Sequence, residues 1–322
     1  MRLFNKFAWE KVPDDDKDLL EDYQLEMEAQ GKAEKSIYQY VTDIKGFYCW
    51  KVEGLHNKLT LELKRKNFRN FFLTVQKEGA SNARINRLQS SLRNLLEYAV
   101  TEDDYDYDIN EMAHIKGLQK EEVRKIVFLT DHQVNQLIDY LVRHEQYQKA
   151  LFVSLAYDSC GRRNELAQVK KDGFVDSHQT NTVKGKRSKE FQLLYFNRTR
   201  QLAKIYLQKR GEDDVESLWI TGKGDKKRAV SYATLYAWVE GFRSILLDLT
   251  GEEINLNVHS FRHSGLEAYT NGEHYVLKEM GKDSLPLDVA QLIAHHSDIS
   301  TTQSYLKDHS DEKLADAFGL TL

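Results

Sequence analysis

The chain has 322 residues, 46 Lys and Arg against 50 Asp and Glu, a formal charge of −4 and 41% hydrophobic residues. That length accommodates two domains or one large one, and that apolar content excludes general disorder. No uninterrupted apolar stretch is long enough to cross a bilayer, and the first ten residues lack the apolar core of a secretory signal. Cys49 and Cys160 form no metal motif, so a reducing cytoplasmic setting is expected. The slight acidity argues against a surface that coats nucleic acid throughout, yet leaves room for a local basic groove.

Residues 18–30 predict a first helix, with Leu19, Leu20, Tyr23 and Met27 on one apolar face. Residues 36–50 predict a second through Ile37, Tyr40, Val41, Ile44 and Phe47, and 61–75 a third. The fourth, 82–100, carries Ile85, Leu88, Leu92, Leu95 and Leu96 on one face and Arg84, Arg87 and Arg93 on the other. Lys64, Arg65 and Arg69 add to this basic surface. A phosphate-contacting face and an ordinary solvated helix face fit these charges about equally. Residues 102–125 are polar and read as a linker, so a helical domain over 1–118 and a second domain over 119–322 are expected.

In the second domain Thr130 is a natural cap for a helix over 131–140, followed by another over 146–157. Residues 175–184 and 191–196 read as strands flanking a basic turn at 185–190. Helices follow at 200–208, 232–247, 260–270, 288–295 and 311–318. The expected fold is mainly α, with a small β-sheet in the C-terminal domain.

Six residues then carry the chemistry. His259 and Arg262 form an HxxR pair, and His296 precedes Tyr305 by nine positions. Upstream lie Arg162, in Gly161-Arg162-Arg163-Asn164-Glu165-Leu166, and Lys186, in Lys184-Gly185-Lys186. A phosphodiester gains negative charge as its phosphorus becomes pentavalent, and the planar guanidinium forks of Arg162 and Arg262 suit that charge. His259 can donate a hydrogen bond or move a proton, and His296 can brace a phosphate oxygen. Tyr305 is the candidate nucleophile, and Lys186 on its turn the candidate acid for the leaving 5′ hydroxyl. This chemistry calls for no metal and no cofactor. Any one member alone is unremarkable in a chain with 17 tyrosines and 11 histidines; the combination is specific.

With these residues the chain resembles the tyrosine recombinases of the phage-integrase class over nearly its whole length. The resemblance implies a two-domain clamp around double-stranded DNA, a helical core-binding domain and a catalytic domain. It places the family's two arginines at Arg162 and Arg262, its hairpin lysine at Lys186, its histidines at His259 and His296, and its nucleophile at Tyr305. Glu165 matches the acidic residue that follows the first arginine. A 3′-phosphotyrosyl intermediate and a site-specific recombinase or integrase follow. Lys223, Lys226, Lys227 and Arg228 lie on a second lysine-rich turn, a further DNA-contact candidate. The resemblance also implies homo-oligomers on DNA through the last helix, an accessory or regulatory protein as a further partner, and a cytoplasmic, nucleoid-associated location.

Four departures stand out, the first being the charged Arg163 where the family usually has an apolar residue after its first arginine. Cys160-Gly161 precedes the first arginine, His295 takes the place of the family's usual glycine before the second histidine, and the stretch between Arg262 and His296 is long. Residues 272–286 of that stretch are expected to form a solvated loop. The departures keep a second function open: a catalytically silent phage or mobile-element transcriptional repressor on the same fold. A metal-dependent nuclease fits least, because no compact carboxylate cluster accompanies the basic residues.

Overall fold

The computed structural model describes residues 3–55, 58–119, 126–174 and 178–307. The chain divides into two compact units, Met1–Lys125 and Ile126–Leu322. The helix expected at 311–318 and the start of the strand expected from 175 lie outside the described residues.

The first unit is helical: α1 (Lys6–Glu10), α2 (Asp14–Ala29), α3 (Glu34–Leu55), α4 (Arg65–Lys77) and α5 (Asn82–Thr101). Its core joins Met27, Ile44, Phe47, Phe68, Phe71, Leu92 and Leu95. Ser81 starts α5 by accepting the Arg84 N–H at 3.3 Å, the bond that a helix N-cap serine supplies. The third expected helix is broken. A single 3-10 turn at Thr60–Glu62 is held by the Thr60 N–H on the buried Asp16 carboxylate at 2.8 Å, and Asp16 also pairs with buried Lys51. Helix α4 then begins afresh, with Asn67 accepting the Lys64 N–H at 3.0 Å.

The second unit comprises α6 (Asp131–Arg143), α7 (Tyr147–Ser159), α8 (Arg163–Ala167), β1 (Gln179–Lys184), β2 (Glu190–Leu194), α9 (Asn197–Arg210), β3 (Ile220–Thr221), β4 (Arg228–Ala229), α10 (Tyr232–Thr250), α11 (Val258–Asn271), α12 (Tyr275–Glu279), α13 (Leu287–Ile293) and α14 (Ile299–Gln303). Thr130 caps α6 in a reciprocal box with Gln133, at 3.0 and 3.2 Å. Helix α7 is buried on every side from Ala150 to Ser159 and forms the centre around which α6, α9 and α11 pack. Strands β1 and β2 form an antiparallel hairpin with Val183 opposite Phe191, and β3 pairs with β4 in a second, smaller one. The architecture is mainly helical, with its small β-structure in the second unit.

The stretch expected as a solvated loop is in part core. His274, Val276 and Leu277 are buried, whereas 278–284 are exposed. The ring of His274 stacks on Tyr157 and Tyr269, with centroids 4.6 and 3.9 Å away, which draws this segment inward.

Gly265 sets the approach of α11 to α7. A Cβ there would stand 2.4 Å from the Tyr157 carbonyl oxygen and 2.9 Å from the Cys160 sulfur. Backbone cannot yield as a side chain can, so Gly265→Ala is expected to destabilise the unit by about 2–3 kcal/mol. Urea unfolding checks this through a lower midpoint at unchanged slope.

Candidate active site

Four chain breaks bring the singled-out residues together. The first is the end of α7, where Cys160 adopts a left-handed conformation with φ of 50° and turns the chain into α8. Arg162 is the N-cap of α8. Its backbone N–H donates to Glu165 Oε2 at 2.7 Å and its guanidinium Nη1 to Oε1 at 2.9 Å. Glu165 is buried, while the Arg162 side chain keeps 27% of its surface exposed. The buried acid therefore aims a guanidinium whose other edge stays open.

The second break is the start of α11. Asn257 caps it by accepting the His259 N–H at 2.9 Å. His259 is exposed in the first turn, and Arg262, three residues on, is 1% exposed. The two share a helix turn but not an environment. Arg262 donates through Nη1 to the Cys160 carbonyl and through Nη2 to the Ala294 carbonyl at 2.8 Å and to His296 Nε2. Three of its five N–H donors are thereby engaged, and buried Nε has no protein partner.

The third break is the end of α13. His295 takes a left-handed conformation, φ 53°, and the His296 N–H reaches back to the Gln291 carbonyl at 3.1 Å, a Schellman-type closure. The strain of a left-handed histidine is offset by its ring, which stacks on Phe191 of β2 at 3.8 Å. His296 must accept from Arg262 at Nε2, so its proton sits on Nδ1 and is donated to Thr302 Oγ1 at 2.9 Å.

The fourth break follows α14, where the Tyr305 N–H bonds the Thr302 carbonyl at 3.0 Å. The Tyr305 ring stacks on His263 at 4.4 Å, lies 5.0 Å from the His296 ring and covers the Arg262 guanidinium at 5.1 Å. His263 Nδ1 donates to the Tyr305 carbonyl at 3.1 Å. His263 was not singled out from the sequence. Its one signal is its place directly after Arg262, and the contact it makes is 42 residues away.

The electrostatics follow from burial beside two arginines. Burial first, then the charges of Arg262 and Arg162, hold His296 down at about 3, and burial, opposed by Glu165 and aided by Lys189 and Arg262, holds His295 at about 4. Reduced hydration followed by Arg262 pushes exposed His259 below its ordinary value. Arg262 is itself lowered by burial and by Arg162. Burial pushes the Cys160 thiol up to about 12, which leaves it inert as a nucleophile. Such a cluster of positive charge short of counter-charge suits an anion.

Lys186 is exposed on the turn between β1 and β2. Gly185 places that turn: a Cβ there would meet the Phe191 ring at 2.6 Å and Glu165 Oε1 at 3.3 Å. The base of the hairpin thus lies against the carboxylate that aims Arg162. Lys189, which the sequence reading did not single out, closes the turn by accepting the Gly185 N–H at 2.8 Å.

The basic residues outside this cluster divide into two kinds. Lys64, Arg69, Lys223, Lys226 and Arg228 are exposed, and Arg65 is half-buried. Arg84 and Arg87 are partly exposed but bind buried Asp43, at 2.5 and 3.1 Å. Arg93 donates to the Ile115 carbonyl at 2.8 Å, and Lys227 to the Arg210 carbonyl at 2.8 Å. These four brace the fold at the same time as they carry charge. Among the described residues no group of three or more His, Cys, Asp and Glu is arranged to hold a metal ion.

The fold and this arrangement define a tyrosine-recombinase architecture. Residues 127–312, more than half of the chain, match the Phage integrase family, and the chain belongs to that family. It is 26% identical over 324 aligned positions to the SPbeta prophage-derived recombinase-like protein YomM of Bacillus subtilis (strain 168), covering 95% of this chain and 91% of that protein. It is 23% identical to the tyrosine recombinase XerA of Thermococcus onnurineus (strain NA1), covering 90% of each. Among solved structures, a lambda integrase (75–356) dimer bound to a COC′ core site superposes with a TM-score of 0.68 at 16% identity, covering 91% of this chain and 96% of that one. The XerH site-specific recombinase bound to palindromic difH substrate, a post-cleavage complex, gives 0.66 at 18% identity over 90% and 80%.

The depressed histidines make stability depend on pH. His296 binds a proton near 6.5 when unfolded and only near 3 when folded, so between those values the unfolded chain holds more protons. The stability is complete above about pH 6.5 and is lost as pH falls, by up to about 1.4 kcal/mol per pH unit for this one group. Urea unfolding from pH 7 to pH 4.5 is expected to show stability falling with pH through the depressed histidines together, and His296→Gln to lessen the slope by up to that one-group amount.

Proposed function

We propose that the protein is a site-specific recombinase or integrase that cleaves double-stranded DNA through a 3′-phosphotyrosyl intermediate. The observation that carries this reading is the arrangement of Tyr305 over Arg262, with His296 bonded to the same guanidinium. Tyr305 Oη attacks the scissile phosphorus: the Oη–P bond forms and the P–O5′ bond breaks. The phenol proton passes to His259, which burial and Arg262 keep neutral, and Lys186 Nζ gives a proton to the departing O5′. Arg162 and Arg262 meet the charge that grows on the non-bridging oxygens. Religation runs the same bonds in reverse with another strand's 5′ hydroxyl.

In this reading both units contact the duplex. Lys64, Arg65, Arg69, Lys223, Lys226 and Arg228 contact phosphates, while Arg84, Arg87, Arg93 and Lys227 combine that role with bracing. The DNA-bound dimer in the lambda integrase structure supports assembly of copies on DNA. The protein then works in the cytoplasm at the nucleoid.

The test is selection of bound sequences from genomic or phage DNA, followed by nicked suicide substrates built on them. A denaturation-resistant adduct, mapped by mass spectrometry to the peptide carrying Tyr305, is the expected result. Tight, specific binding without an adduct would favour a repressor on the same fold. No specific binding would overturn both.

A further inference from the structure

The carbonyl that grips Arg262 belongs to Cys160, two residues after Asp158. Asp158 is buried at the end of α7, and its carboxylate gathers two segments that are remote in sequence, 196–199 and 274–275. Oδ2 accepts from Thr199 Oγ1 at 2.6 Å, from the Phe196 N–H at 3.2 Å and from the Tyr275 hydroxyl at 3.1 Å. Its backbone carbonyl accepts the Tyr269 hydroxyl at 2.7 Å. Oδ1 faces Arg198 Nη2 at 3.5 Å and His274 Nε2 at 3.9 Å. His274 Nδ1 accepts the Val276 N–H at 3.4 Å, so its Nε2 carries the proton, and at 3.9 Å it faces Oδ1 without a hydrogen bond. The Arg198 guanidinium lies flat on the Tyr275 ring, 3.7 Å from its centroid.

These hydrogen bonds and ion pairs run to other partners than Arg162, Arg262, His296 and Tyr305, although Tyr275 and Tyr305 pack on one apolar cluster with Tyr269. Burial raises the Asp158 carboxyl while Arg198 and the hydroxyl donors oppose it, and burial first, then Arg198, keeps His274 far below its ordinary value. The result is a polar core directly under a left-handed turn that no glycine eases. A helix end that delivers a carbonyl through a strained residue needs outside bracing to hold one geometry. The long stretch between Arg262 and His296 supplies part of that bracing through His274 and Tyr275.

We propose that Asp158 is a positioning residue of the active site: through Tyr269 and Tyr275 it fixes the end of α7, and so the Cys160 carbonyl that orients Arg262. The proposal rests on the recombinase reading. It gives residues 272–286 a task, the setting of the arginine that meets the phosphate.

Tyr275→Phe removes one hydroxyl and keeps the ring, so the fold is retained; urea unfolding verifies that. With DNA affinity within about twofold of wild type, it is expected to slow adduct formation about tenfold, and Asp158→Asn about a hundredfold, the scale of a misplaced catalytic group. The discriminating probe is a suicide substrate with a methylphosphonate at the scissile position. Methyl replaces the charged non-bridging oxygen, so the need for Arg262 falls, and the penalty of Tyr275→Phe is expected to vanish there and in an Arg262→Ala background. An equal penalty on both substrates, or a wild-type rate on the ordinary one, would overturn the positioning role alone. A wild-type protein that forms no adduct on its selected site overturns the recombinase reading, and the positioning role with it.

Discussion

Tyr305→Phe is expected to abolish the covalent protein–DNA adduct while leaving DNA affinity within about twofold of wild type. The substitution removes one oxygen from a ring whose packing on His263, His296 and Arg262 does not depend on it. Fold and binding surface therefore persist, and the loss is confined to bond formation. Because the nucleophile acts as one unit with its partners, its removal costs the whole covalent pathway, at least about 10⁴-fold in adduct rate. Quenched time courses on a nicked substrate, resolved under denaturing conditions beside a filter-binding titration, measure both quantities. An adduct that survives in Tyr305→Phe would assign the nucleophile elsewhere. Equal binding and no adduct in either protein would favour the repressor.

The long helices were legible because an apolar face repeats over several turns. Helix α5 was expected at 82–100 and runs over Asn82–Thr101, with the same five hydrophobic residues buried. Helices α8, α12 and α14 span five residues each, little more than one turn, and periodicity has nothing to repeat over such a length. Their positions come from capping instead: Glu165 at α8, His274 at α12 and Asp298 at α14. The joint spacing of arginines, histidines and tyrosine pointed to one cluster, and the structure brings Arg162, His259, Arg262, His296 and Tyr305 into one charged neighbourhood.

Tertiary partners were beyond the reach of the sequence. Arg84 and Arg87 stand opposite the apolar stripe of α5 and look like free surface charges, but Asp43 of α3 claims them from 41 and 44 residues away. The two left-handed turns were hidden for a different reason. Glycine marks such positions, and here Cys160 and His295 occupy them. Both look like departures from the family pattern: the Cys160 side chain is buried in the cluster with Leu266 and Tyr269, and the His295 ring lies on Phe191.

Arg262→Lys is expected to slow adduct formation about 10³-fold, the scale of losing an aligned charge-stabilising donor, with a much smaller loss of DNA affinity. Charge is conserved in this substitution, so charge alone cannot account for the effect. The guanidinium is a planar fork that reaches the Cys160 carbonyl, the Ala294 carbonyl and His296 while two N–H donors remain. A lysine ammonium has three donors on a flexible stem, and serving those three acceptors leaves none for phosphate. Arg262→Ala gives a second, independent readout. After burial, the Arg262 charge is the largest cause of the depressed His296 pKa, so removing it moves His296 upward from about 3. Titration of the His296 ring by NMR measures that shift. An unmoved His296 would mean that the two groups are apart in solution, and a wild-type rate in either variant would remove Arg262 from the cleavage step.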